Sequence, residues 1–114
     1  ENAEYDGSVN RSYYAMFNAI RSLLALVGSD HRRHTGVISF FDRYFVRTGL
    51  IKKAFSTMAH NAFDSRQMSD YQDFQRPTEQ QARAQCDDAK RFLEEIEQKQ
   101  QQFFQGTLEL PHVS

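Results

Sequence analysis

The chain reads as an all-α protein, an antiparallel up-and-down bundle of four to five helices. Three observations predict this class. Only five glycines and two prolines punctuate 114 residues, too few for a turn-rich β-protein. Apolar residues recur at three- and four-residue spacings along most of the chain. No alternating run joined by a turn dipeptide offers a β-hairpin.

A first helix is predicted over residues 8–27, capped by Asp6 or Ser8 and ended by Gly28. Its apolar stripe is Val9, Tyr13, Met16, Ile20, Leu24 and Val27. Arg11, Tyr14, Asn18 and Arg21 fall on the opposite side of the wheel. Tyrosine is costly on an open surface, so this polar face is expected to be covered or used. After a polar connection over 29–34, a second helix is predicted over 36–48. Val37, Phe40, Phe41, Tyr44 and Phe45 signal it, and Gly49 stops it. Those rings exceed what one narrow stripe can bury, so a homodimer formed through the remainder is expected.

A third helix starts near Leu50 and carries Ile51, Ala54, Phe55, Met58, Ala62 and Phe63, continuing unevenly to Tyr71. Pro77 breaks the chain, Thr78 can cap, and Gln81 can close a capping box. The last helix, over 79–103, is expected to bury Ala82, Cys86, Ala89, Leu93, Ile96 and Phe103. Gln100 interrupts that seam, and residues 105–114 read as a tail. The whole, 1–114, is expected to be one domain.

Composition narrows the function classes. A chain 39% hydrophobic and 25% charged suits a soluble globular protein with one core. No apolar run is long enough to span a bilayer, and no signal-peptide pattern is present, so no membrane partner is expected. The sequence begins at Glu1, not Met, and an upstream segment is expected to be missing. A single cysteine, Cys86, rules out an internal disulfide and suits a reduced, cytoplasmic compartment. His31, His34, His60 and His112 have no metal-ligand spacing with Cys86, and no glycine-rich phosphate loop occurs. Neither metal nor cofactor is expected.

The net charge of −1 hides a polarity. Residues 31–53 hold Arg32, Arg33, Arg43, Arg47, Lys52 and Lys53 against one acid, Asp42. A basic middle suits phosphate contacts, and it equally suits a solvated helical hairpin. Near the end of the third helix, Arg66 and Asp70 are one turn apart and Tyr71 adjoins them. By spacing alone this is an ordinary surface ion pair beside a tyrosine. His34 and His60 read as packed or solvated histidines.

Four stretches occur in a characteristic order: NRSYYAMFNAIRSLL, HTGVISFFDRYFVRTG, SRQMSDYQDF and AKRFLEEI. Together they make the chain resemble a HEPN domain (higher eukaryote and prokaryote nucleotide-binding family) of the small stand-alone bacterial and archaeal type, over roughly residues 5–96. The R-x-Y-Y-A-x-F and R-x-x-x-D-Y runs carry the likeness. It implies an up-and-down helical bundle that dimerises, with one more family helix before the first helix seen here. Many such domains are metal-independent ribonucleases with an R-x(4–6)-H motif. Others accompany minimal nucleotidyltransferases in toxin–antitoxin pairs, and some bind nucleotides or RNA.

At the place of the ribonuclease motif stand Arg66, Asp70 and Tyr71, with no histidine at the required spacing. An arginine can steady phosphate charge, but a tyrosine, titrating near pH 10, is a poor base at neutral pH. The resemblance therefore points to nucleotide or RNA binding by Arg11, Tyr14, Asn18, Arg66 and Tyr71, a set that equally suits a buried polar network fixing helix register, and the basic middle adds expected phosphate contacts from Arg32 and Arg33. A nucleotidyltransferase is the expected partner. The alternatives are a ribonuclease with a non-standard Arg66/Asp70/Tyr71 site and a purely structural dimerisation module.

Overall fold

No proline interrupts the chain before Leu26, and the lone Gly7 costs only about 1 kcal/mol in a helix. Helical hydrogen bonding therefore propagates from Asn2 to Leu26, forming α1 of 25 residues. Asp6 and Ser8 lie inside this helix and do not cap it, a correction to the boundary read from sequence. The computed structural model describes residues 2–31, 33–71 and 78–113, with the side chains of 2–6 and 65–71 outside the description. Within it follow α2 (His34–Phe41), a π-helical turn (Asp42–Val46), α3 (Lys53–Tyr71) and α4 (Glu79–Phe104). No strand occurs among the described residues.

Gly28 ends α1 as its spacing predicts. With φ at 76° it takes the left-handed conformation, and two backbone bonds close the helix: Gly28 N–H to Ala25 O and Ser29 N–H to Leu24 O, both 3.1 Å. The connection then returns along α1, because His34 stacks beside Phe17 at 4.5 Å. From there α2 climbs again, until Phe45 shares an apolar pocket with Leu23 and Leu26. The second helix thus begins at His34, earlier than expected. After Phe41 it widens into the π turn, where Arg47 N–H donates to Asp42 O at 2.8 Å.

Residues 49–52 form a turn, not the start of α3. Gly49 sits at φ 86°, and Ile51 N–H donates to Phe45 O at 2.9 Å, which carries Ile51 into the core. α3 descends antiparallel to α2. Ser56 and His60 meet Asp42 near the top, and Phe63 comes within 6.2 Å of the His34 ring lower down.

α4 opens as predicted. Thr78 accepts from Gln81 N–H at 3.1 Å while the Gln81 side chain accepts from Thr78 N–H at 3.0 Å, a complete capping box. Its buried seam is different from the expected one: Ala82, Ala89, Phe92 and Ile96 are buried, Cys86 is half-buried, and Leu93 is 40% exposed. Helix α4 uses the three-residue step from Ala89 because Phe92 fits between Phe41 (5.8 Å) and Phe55 (6.1 Å).

α1 is the central element and touches every other helix. All of its predicted stripe is buried except the half-buried Val27, and Ser12, Phe17, Ala19 and Leu23 are buried as well. Its apolar arc is therefore wider than one stripe. At the upper end, Gln100 does not loosen the packing. Its Nε2 donates to Ser22 Oγ at 2.9 Å, tying α4 to α1. Leu108 and Leu110 of the tail fold back over the pocket formed by Leu23, Leu26, Phe45, Leu50 and Ile51.

Candidate functional site

The polar face of α1 is partly covered. Arg11 and Asn18 are exposed, and Tyr14 is half-buried. The Tyr14 ring stands edge-on to Tyr13 at 5.3 Å and to His34 at 6.0 Å. Arg11 folds back along its own helix, so that a methyl group at Gly7 would lie 3.1 Å from Nη1. Glycine there leaves room for the guanidinium. Arg21 pairs loosely with Asp30 at 3.7 Å, with both side chains well exposed.

Behind Tyr14, the Tyr13 hydroxyl hydrogen-bonds Nδ1 of His34. The His34 ring lies nearly parallel to Tyr13 and Phe17, at 6° and 20°. The sequence allowed His34 to be packed or solvated. It is packed, and it anchors the start of α2 to the middle of α1.

α3 runs antiparallel to α1. Ile51, just before it, shares a pocket with Leu23 and Leu26, while Phe63 sits 6.0 Å from Tyr13. Arg66 follows Phe63 by about one turn, so the helix direction carries its backbone toward the part of α1 that bears Arg11. The side chains of Arg66, Asp70 and Tyr71 lie outside the described residues, as does Arg32 altogether.

In the basic middle, Arg33, Arg43, Arg47, Lys52 and Lys53 are all exposed. None of the described carboxylates lies within ion-pairing distance of them. Asp42, the one acid there, is turned away toward α3 and engaged by Ser56 and His60. Arg43 lies over the Tyr44 ring at 5.1 Å.

The Asp42–Ser56–His60 cluster is a feature that sequence reasoning missed. Ser56 Oγ donates to Oδ1 at 2.6 Å, and His60 Nε2 meets Oδ2 at 2.7 Å. In a nucleophilic triad the imidazole stands between hydroxyl and carboxylate, ready to take the hydroxyl proton. Here the carboxylate stands between the other two, so His60 is not placed to take the Ser56 proton. The cluster clamps the π turn onto α3. Among the described residues, no three His, Cys, Asp or Glu side chains converge as a metal site would require, and no helix is long and apolar enough to cross a membrane.

Comparison with known proteins places this architecture. The HEPN domain family matches residues 1–99. The chain belongs to the HEPN domain family. Among curated proteins, a UPF0332 protein of Thermotoga maritima is 32% identical over 85% of this HEPN chain and 74% of its own length. A protein of Methanocaldococcus jannaschii named "putative toxin" is 32% identical over 84% of the chain and 71% of its own length. A UPF0332 protein of Pyrococcus horikoshii is 40% identical over 58% of the chain, a match that spans about half, 47%, of that protein. No solved structure matches this HEPN chain significantly.

Proposed function

We propose that this HEPN chain binds RNA or a nucleotide, as a homodimer, and acts beside a nucleotidyltransferase-type partner in a toxin–antitoxin-like module. The observation that carries the binding reading is the set of exposed cations Arg33, Arg43, Arg47, Lys52 and Lys53, which have no carboxylate partner among the described residues, on a chain of net charge −1. Exposed cations without carboxylate partners are available to phosphates and release counterions on binding them. Arg11, Tyr14 and Asn18 on α1, with Arg66, Asp70 and Tyr71 on α3, form the proposed central cleft. Its arginines would hold phosphate and its tyrosines would stack a base. The module reading draws on the family and on the relatives whose names include "toxin".

Binding without cleavage is the expected behaviour, because Tyr71 stands where the ribonucleases of the family keep a proton carrier. The test is to incubate wild type and Arg66→Ala with labelled RNA in chelator, and to measure binding at rising salt. Wild type should bind with a steep salt dependence and leave the RNA intact. Arg66→Ala should bind more weakly with unchanged helical content. Metal-free cutting that Arg66→Ala abolishes would instead establish a ribonuclease. Neither binding nor cutting at low salt would leave a structural module.

A further inference from the structure

We infer that the outer face of α2 and its π turn is a stacking platform for the unpaired bases of single-stranded RNA. The inference rests on the RNA-binding reading above, gives to RNA the outward rings of α2 that the sequence led us to expect in a dimer interface, and locates a second contact surface, separate from the α1–α3 cleft.

The sequence FFDRYF sorts its rings by helical position. Phe41 and Phe45 turn inward and are fully buried, whereas Phe40 and Tyr44 share the neighbouring face and stay half-buried. Those two rings are 4.5 Å apart at a tilt of 42°. His31, from the returning connection, extends the row at 5.0 Å from Phe40, and Arg43 closes it above Tyr44 at 5.1 Å. Four π-bearing groups from two segments thus form one continuous row outside the core.

Charge decides the occupant. The row is accompanied in the same segment by exposed Arg33, Arg47, Lys52 and Lys53, and its only acid, Asp42, faces α3. Protein-binding surfaces are depleted in lysine at their centres. A nucleic-acid strand needs both features, rings for its bases and cations for its backbone. A duplex keeps its base faces stacked inside and offers the row nothing. An unpaired strand can lay bases on Phe40, Tyr44 and the Arg43 plane while its phosphates meet exposed cations of the same segment.

The experiment titrates the full chain, at low salt, with labelled oligouridylate, an abasic ribose-phosphate oligomer of equal length, and an RNA duplex. The variants are His31→Ala with Phe40→Leu, which keeps the apolar bulk at residue 40, and separately Arg43→Lys, which keeps the charge but removes the planar group. Circular dichroism confirms folding, and sedimentation gives the mass of each form. Oligouridylate should bind more tightly than either other probe. Each variant should lower its affinity by roughly fivefold or more and leave the abasic oligomer unaffected. Equal affinity for oligouridylate and the abasic oligomer would overturn the platform while sparing phosphate binding elsewhere. Failure of all three probes would remove the RNA-binding reading together with it. A dimer broken by the variants at unchanged oligouridylate affinity would assign the row to a second copy of the chain.

Discussion

His60 Nε2 lies 2.7 Å from Oδ2 of Asp42, and the other oxygen of that carboxylate accepts the Ser56 hydroxyl at 2.6 Å. One acid from the π turn thereby holds two residues a helical turn apart on α3. The two bonds differ in worth because their surroundings differ. Ser56 is buried, whereas the His60 side chain is 50% exposed.

Removing the acid leaves the buried hydroxyl without its acceptor, so Asp42→Ala should cost about 1–3 kcal/mol. His60→Ala loses only a solvent-screened contact and should cost at most about 1 kcal/mol. Urea unfolding midpoints of the two variants, at constant slope, measure the difference. Equal losses would show that the clamp does not depend on Ser56.

The α4 seam yields a sharper contrast between adjacent residues. Phe92 is fully buried against Phe41 and Phe55, while Leu93 is 40% exposed. Phe92→Ala should cost about 3–5 kcal/mol. Leu93→Ala should stay within about 0.5 kcal/mol. A reversed order would restore the four-residue step read from the sequence.

The tail packs against the helices. Leu108 and Leu110 are both half-buried over the pocket at the upper end of α1. Replacing both with alanine should cost about 2 kcal/mol, near half the value of burying two leucines fully. Thermal unfolding followed by circular dichroism would show it as a lowered midpoint. An unchanged midpoint would mean that the tail does not cover that pocket in solution.

The sequence by itself determined the class of the fold and most of its punctuation. Apolar spacing, the Thr78–Gln81 capping box and the stop at Gly28 are local signals, set by residues within a turn of one another. The family likeness was legible for the same reason, since its motifs are contiguous runs of sequence. The basic middle was legible as a count of charges, and the exposure of its described members agrees with it.

Tertiary structure decided whatever depends on partners distant in the chain. Whether α4 takes Phe92 or Leu93 inward depends on the space left by Phe41 and Phe55, which no spacing within α4 can reveal. Gln100 looked like a flaw in a stripe until Ser22, from α1, supplied its acceptor. Asp42, Ser56 and His60 meet only because the π turn and α3 pack side by side, and the row from His31 to Arg43 exists only because the returning connection lies over α2. Hydrophobic periodicity says which face of a helix is buried, but it carries no information about which neighbour covers that face. That choice belongs to close packing among side chains far apart in sequence.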